Sequence, residues 1–216
     1  MSLVEKYGLL PDEIDRESLK RVKASLPDSL SLTPAEHYVV CRIVRAEGDP
    51  TIAEAVRFSP RAVELGIEAL RAGAEVITDV RMGEVGISKP LLAGLGIRTR
   101  CQIDTSQVAA RAQKESTTRS VAAMREMAPY LDGAVVSVGN APTALLALLD
   151  LIGDGHAMPA LVIGMPVGFV ACAESKEELV RSSVPYICVW DRRGGSSAAA
   201  ATMNALLTLA SQAESR

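Results

Sequence analysis

The segment Asp191-Arg192-Arg193-Gly194-Gly195-Ser196-Ser197 places two cations, two glycines and two hydroxyls directly before a predicted helix. Helix N-termini bind anions because they carry free backbone N–H groups and the positive end of the helix dipole. Arg192 and Ser196 are therefore candidate ligands for a carboxylate or phosphate. The alternative is a solvated basic loop, but such a loop does not explain two adjacent glycines, which cost stability.

A second turn, Gly139-Asn140-Ala141-Pro142-Thr143-Ala144, follows the apolar run 134–138. Glycine permits a tight turn, Asn140 can cap a helix, and proline suits the first helical turn. The free N–H groups expected here suit an anion, with Asn140 and Thr143 as candidate side chains. The alternative is a well-capped turn without a ligand, which is common in α/β proteins.

Two further segments carry polar groups. Thr118-Arg119-Ser120 places a cation between hydroxyls at a predicted helix start, and the segment 81–89, which follows the apolar run 75–80, ends in Ser88 and Lys89. By contrast, Gly164-Met165-Pro166-Val167-Gly168-Phe169 has no polar side chain. That segment predicts either a packing turn or an apolar wall for a flat ligand.

Strands and helices must bring these segments together. Short apolar runs predict strands over 75–80, 97–103, 134–138, 160–163 and 186–189. Helical periodicity and start signals predict helices over about 12–24, 33–46, 59–73, 118–131, 143–151, 176–182 and 197–210. Thr33 to Glu36 and Ser175 to Glu178 have capping-box spacing. A helical N-terminal segment followed by alternating strands and helices predicts an α/β fold with a mainly parallel sheet. Ligands bind beyond the carboxyl ends of such strands.

Composition and charge restrict the class of protein. The chain has 216 residues, of which 48% are hydrophobic and 3% aromatic, and its net charge is −3. This length buries a core, and the apolar content argues against disorder. The charge and the scarcity of aromatic residues disfavour nucleic acid, and no uncharged run predicts a membrane span. The missing G-x-G-x-x-G, Walker and G-x-S-x-G sequences count against a nucleotide-binding enzyme or a serine hydrolase.

Thiols and imidazoles are few. The four cysteines, at positions 41, 101, 172 and 188, have no C-x-x-C spacing, which favours buried thiols of a cytoplasmic protein. The histidines are His37 and His156, and a metal site would need scattered single ligands, so none is predicted. Residues 1–10 lack the apolar core of a signal peptide.

Several segments, taken in order, resemble the precorrin-8X methylmutase family. They are Phe58-Ser59-Pro60, Thr78-Asp79-Val80-Arg81-Met82, Thr118-Arg119-Ser120, Val138-Gly139-Asn140-Ala141-Pro142-Thr143-Ala144, Ile163-Gly164-Met165-Pro166-Val167-Gly168-Phe169-Val170, Ala173-Glu174-Ser175-Lys176 and Gly194-Gly195-Ser196. The resemblance covers nearly the whole chain, and the blocks that contain Asn140 and Met165 are together highly specific.

The resemblance implies one domain over 1–216, with a three-layer α/β/α fold, that works as a homodimer. The implied reaction is an isomerisation in cobalamin biosynthesis, which moves a methyl group from C-11 to C-12 of precorrin-8X or its cobalt form. It implies no organic cofactor, and a polycarboxylate tetrapyrrole as substrate, with the apolar turn around Met165 facing the ring. The implied substrate-binding residues are Ser18, Arg42, Ser88, Lys89, Arg119 and Asn140. The anion-binding turns add Ser120, Thr143, Arg192 and Ser196.

The chain departs from the family pattern at a catalytic position. The family's Arg-x-x-His-Ala block reads Arg42-Ile43-Val44-Arg45-Ala46 here, so Arg45 stands where the resemblance implies a proton-donating histidine. A guanidinium stays charged at working pH, so Arg45 is expected to stabilise negative charge or bind a carboxylate. His37 lies about 12 Å earlier along the same predicted helix. The family's Gly-Ile/Val-Thr-Arg block also differs here, since residues 86–89 read Gly-Ile-Ser-Lys. A corrin-binding or carrier protein without mutase activity is therefore an alternative.

Overall fold

The computed structural model describes Gly8 and residues 11–212. The α-helices in this part are α1 (Pro11–Ser25), α2 (Pro34–Glu47), α3 (Ala62–Arg71), α4 (Arg81–Val85), α5 (Lys89–Gly94), α6 (Ser106–Lys114), α7 (Arg119–Glu126), α8 (Pro142–Gly153), α9 (Cys172–Arg181) and α10 (Ser196–Ser211). The strands are β1 (Val56–Phe58), β2 (Val76–Thr78), β3 (Thr99–Arg100), β4 (Val135–Val138), β5 (Leu161–Gly164) and β6 (Tyr186–Val189). Short 3₁₀ helices lie at Pro50–Ala55 and Ala128–Tyr130.

The six strands form one sheet in the order β1-β6-β5-β4-β2-β3. Strands β2 to β6 run parallel, and β1 pairs antiparallel with β6. This arrangement confirms the predicted mainly parallel sheet. The carboxyl ends of the parallel strands meet at one edge, so the turns that follow them are neighbours in space.

Helices cover both faces of the sheet because successive strand residues point to opposite sides. Val135 belongs to the apolar core that includes residues of α2, α3 and α10, whereas Val136 belongs to the core that includes α6, α7, α8 and α9. This confirms the predicted three-layer α/β/α fold. Small aliphatic side chains fill both cores, as the scarcity of aromatic residues requires.

Helix α2 presents the arginines of the predicted site. Its N-terminus forms the predicted capping box: the Thr33 hydroxyl accepts the Glu36 N–H at 3.2 Å, and the Glu36 carboxylate accepts the Thr33 N–H at 2.8 Å. The apolar face of the helix, including Ile43, is fully buried. Arg42 and Arg45 therefore lie on the side of α2 that faces away from the core.

Two predicted helix signals are wrong. Helix α3 begins at Ala62, after Arg61, whose φ is 59°. The Ser59 hydroxyl does not cap it but accepts the backbone N–H of Tyr186, which joins this segment to β6. Ser175 lies inside α9, where its hydroxyl donates to the Cys172 carbonyl. The second capping box therefore does not form.

Sequence periodicity does not predict β1, α4, α5 or α6. Strand β1 has three residues and α4 and α5 have five and six, which is too few to show a period. The strand predicted over 97–103 is reduced to Thr99–Arg100 at the sheet edge. The prediction on 1–10 falls on a segment of which only Gly8 is described. Within the described residues, no helix combines the length and apolarity needed to cross a bilayer.

Candidate active site

A surface cleft of about 400 Å³ lies between α1, α2 and α10. Its lining residues are Asp15, Arg42, Arg45, Ala46, Gly86, Ser197, Ala200, Ala201 and Asn204. Arg42 and Arg45 are neighbours on one face of α2, since residues three apart lie side by side on a helix. The arginine that the sequence assigns to substrate binding and the one at the family's histidine position thus share one cavity.

The carboxylate of Asp15, from α1, lies against both cations. Arg45 Nη1 donates to Asp15 Oδ1, and Arg42 Nη1 lies 3.8 Å from the same oxygen. Sequence reasoning missed Asp15. It pairs with Arg45, 30 positions away, and no local sequence pattern around Asp15 signals that contact.

Asn204 connects this cleft to the start of α5. Its Oδ1 accepts the Ser88 N–H at 2.7 Å, and its Nδ2 donates to the Gly86 carbonyl at 2.9 Å. Ser88 is half-buried, and Lys89 is exposed as the first residue of α5. Asn204 therefore holds the backbone of Ser88, which precedes Lys89, beside the cleft, a role that sequence reasoning did not assign to it.

The predicted anion site at the start of α8 is occupied by the chain itself. The buried carboxylate of Asp79, directly after β2, accepts the backbone N–H groups of Gly139, Asn140 and Ala141, each at 2.9 Å. Burial raises the pKa of Asp79, and these three hydrogen bonds oppose that increase. The N-cap position is held by Ala141 rather than by Asn140. The expectation of free N–H groups in this turn is therefore wrong.

The side chain of Asn140 remains exposed beside the start of α7. The hydroxyls of Thr118 and Thr143 are 3.4 Å apart, which places the N-termini of α7 and α8 together. Arg119 is exposed and has no hydrogen-bond or ion-pair partner among the described residues, while Ser120 is half-buried. These predicted residues thus form a second group with a free cation.

The glycines before α10 have a structural cause. Gly194 and Gly195 have φ of 135° and 125°, and the Gly195 N–H donates to the Met165 carbonyl at 2.8 Å. A Cβ on Gly194 would lie 2.6 Å from that carbonyl oxygen. Close packing against the turn after β5 therefore accounts for the pair without a bound anion, so these glycines do not by themselves indicate a ligand.

Ser196 links the groups of predicted residues. It is only 8% exposed, and a Cβ on Gly139 would lie 2.8 Å from the Ser196 Cα. The backbone N–H groups of Ser196 and Ser197 have no acceptor in the described part of the chain, as expected for a first helical turn without a side-chain cap. Since Ser197 lines the arginine cleft, the starts of α8 and α10 adjoin it.

A buried lysine supports the loop before α10. Lys176 is fully buried, and its Nζ donates to the carbonyl of Asp191 at 2.7 Å and to that of Arg193. Burial lowers the pKa of Lys176. Arg193 in turn forms an ion pair with Asp49. Neither Lys176 nor Asp49 was assigned a role from sequence.

Arg192 is exposed at the edge of a second cleft of about 410 Å³. Its guanidinium lies 5.5 Å from the centre of the Phe169 ring, and Phe169 is 85% exposed. The turn after β5 thus presents an apolar surface beside a cation. Ser18 lies elsewhere, in a cleft of about 350 Å³ that it shares with Arg45 but not with Arg42.

Comparisons with known proteins agree on one family. The family model described as precorrin-8X methylmutase matches residues 13–209. A precorrin-8X methylmutase of Pseudomonas aeruginosa is 41% identical over 198 residues, covering 90% of this chain and 94% of its own. A cobalt-precorrin-8 methylmutase of Priestia megaterium is 38% identical over 200 residues, covering 93% and 88%. The solved precorrin-8X methylmutase of Thermus thermophilus superimposes with a TM-score of 0.87 at 40% identity, covering 93% and 96%.

The fold and the arginine cleft define an α/β/α protein whose site suits an acidic ligand. The chain belongs to the precorrin-8X methylmutase family, because the family model spans most of it and relatives above 30% identity cover it almost completely. The resemblance drawn from sequence motifs is confirmed. The comparisons give no support to the carrier alternative.

Proposed function

We propose that this chain is an isomerase that moves the methyl group from C-11 to C-12 of precorrin-8X or its cobalt form. Family membership supports the reaction, and the names of the relatives indicate both forms of substrate. The observation that carries the proposal is the cleft shared by Arg42 and Arg45. The methyl bond to C-11 breaks as the bond to C-12 forms, so no oxidant, reductant or methyl donor is consumed.

Cations placed around the strand ends bind the carboxylate arms of the tetrapyrrole. Arg42 and Arg45 form one binding point, and a guanidinium binds a carboxylate through two parallel hydrogen bonds. Arg119 beside Asn140 forms a second point, and Arg192 beside the exposed Phe169 forms a third. Several separated binding points fix the ring in one orientation, which is how an enzyme favours one reactive conformer.

Arg45 acts electrostatically rather than as a proton donor. Its side chain lines the cleft with Arg42, so this position belongs to the proposed site. A guanidinium cannot exchange protons near neutral pH, and no imidazole lines the cleft in the described structure. His37 contacts the Cys41 sulfur at 3.6 Å instead. Arg45 therefore holds a carboxylate or stabilises developing negative charge. Water or another acid supplies the proton that promotes the migration and takes a proton back afterwards, since the isomerisation gains none overall.

The proposal includes a homodimeric assembly and a cytoplasmic location. Phe169 and Val170 are 85% and 84% exposed, and large exposed apolar side chains on neighbouring residues support a homodimer. All four cysteines are buried free thiols, which supports a cytoplasmic protein. The assignment of 1–216 to a single domain stays a prediction. Sedimentation at micromolar concentration tests the dimer, and a species of only 22.8 kDa would contradict it.

Incubation of the purified protein with precorrin-8X, followed by absorption spectroscopy, tests the function. We expect conversion to hydrogenobyrinic acid. Replacing Arg42 and Arg119 together with Ala should weaken binding. Arg98→Ala, which removes an exposed arginine charge outside the clefts, is the matched control. Binding without conversion would establish the carrier alternative, and no binding at all would overturn both functions.

A further inference from the structure

The carboxylate of Asp15 lies against the two arginines to which the proposed function assigns a substrate carboxylate. Its Oδ1 accepts a hydrogen bond from Arg45 and lies 3.8 Å from Arg42 Nη1. It is the single acidic residue among those that line this cleft in the described part of the chain. The chain therefore presents to its own cations the same chemical group that a polycarboxylate substrate presents.

The part of α1 around Asp15 is more exposed than the part that follows it. Val22, in the C-terminal half of α1, packs against the core, whereas Ile14 is 49% exposed. The Asp15 side chain is itself 51% exposed, compared with 31% for Arg45 and 24% for Arg42. Water competes for an ion pair with this exposure, so a second carboxylate is able to replace it.

We propose that Asp15 is a specificity-determining residue of this cleft, acting as a tethered competitor that a carboxylate arm of the substrate must displace. This inference rests on the proposed function of the cleft. Asp15 offsets one of the two adjacent positive charges in the free protein. The apparent affinity for a ligand is then reduced to the fraction of molecules in which Asp15 leaves the arginines free. A ligand with a single carboxylate has no second contact to support the displacement. A polycarboxylate anchored at Arg119 or Arg192 does have one, so the cleft selects for polycarboxylates.

Titration of hydrogenobyrinic acid into wild-type protein, Asp15→Asn and Asp15→Ala at low ionic strength tests the proposal. Both variants free the arginines, and we expect Kd to fall about two- to tenfold, since each exposed pair shifts an equilibrium by a few-fold. Glu17→Gln is the matched control, because Glu17 lies on the same helix turn but pairs with Arg21 away from the cleft. Adding Arg45→Ala to Asp15→Asn should remove most of this gain in affinity.

The outcomes separate this inference from the proposed function. If wild-type protein does not bind hydrogenobyrinic acid, the proposed function fails. If it binds and the Asp15 variants bind equally or more weakly while melting like wild type, the competitor role is overturned. If the Asp15 variants lose turnover while Kd is unchanged, Asp15 acts as a catalytic acid, and the competitor role is again overturned. If Glu17→Gln lowers Kd by the same factor as the Asp15 variants, the effect comes from the change in net charge, and the competitor role is overturned.

Discussion

The carboxylate of Asp79 accepts the backbone N–H of Asn140 at 2.9 Å, so an acidic side chain at the end of β2 holds the turn that precedes α8. Gly139 and Ala141 donate to the same carboxylate. The backbone amides of this turn are therefore already hydrogen-bonded within the chain, which leaves the exposed Asn140 side chain as the proposed contact for a substrate.

Asp79→Asn should destabilise the protein by about 2–3 kcal/mol. The amide keeps the size of the carboxylate but turns an NH₂ group toward backbone donors, which leaves buried groups unpaired. Urea unfolding measures the loss. Asp154→Asn changes an exposed carboxylate and serves as the control. Equal unfolding midpoints for the two variants would show that the three hydrogen bonds do not hold this turn.

Gly139→Ala should disturb the junction of α8 and α10. The new Cβ would lie 2.8 Å from the Ser196 Cα and 3.0 Å from the Ala199 Cβ, and backbone atoms cannot give way cheaply. We expect a loss of about 1–3 kcal/mol, together with weaker ligand binding. Gly153→Ala, which adds the same methyl group in open space within α8, should be neutral or slightly stabilising. Thermal melts of both variants decide the matter, and matching Tm values would contradict the close approach.

Lys176→Met should lower the free energy of unfolding by about 2–4 kcal/mol at pH 7, since the carbonyls of Asp191 and Arg193 lose their donor. The effect depends on pH. Burial lowers the pKa of Lys176, so between that value and 10.5 the unfolded chain binds more protons than the folded protein. Wild-type stability should therefore rise with pH relative to the variant.

Denaturant titrations between pH 7 and 9 measure this difference. The raised pKa of the Cys188 thiol, about 12 against an ordinary 9.0, gives an opposite slope once the thiol of the unfolded chain begins to ionise, which happens near the upper end of this range. Wild type and variant both contain this thiol, so the comparison between them removes most of its contribution. Lys114→Met, on an exposed part of α6, is the control. A pH-independent difference between wild type and Lys176→Met would show that the lysine pKa is not lowered.

Arg45→His should raise turnover of precorrin-8X and give it a pH dependence near neutrality, because imidazole titrates there and guanidinium does not. General acid catalysis contributes about two to four orders of magnitude, so the gain is easy to measure. Arg98→His is the control for an added histidine on the surface. Slower turnover would show that Arg45 stabilises developing negative charge rather than only holding a carboxylate, and unchanged rate, binding and pH profile would remove this position from the site.

Much of the fold follows from local patterns. The apolar run at 186–189 and the capping box at Thr33 and Glu36 give their elements directly, since a buried strand and a helix start depend on residues close in sequence. Helices α4 and α5 are not predictable in this way, because five or six residues carry no period. Ser59 and Ser175 show the opposite error, in which a valid local signal is overridden by tertiary or helical hydrogen bonds.

Motifs and periodicity along the chain were sufficient to predict the family, the mainly parallel α/β fold and the residue types suited to an acidic ligand. Which groups those residues meet depends on contacts between distant segments, and only the folded chain brings these together. Asp79 occupies the start of α8 from 60 positions away, and Asp15 reaches Arg45 across 30. An unpaired buried N–H and a pair of adjacent cations are both costly, so the fold supplies partners that no local pattern encodes.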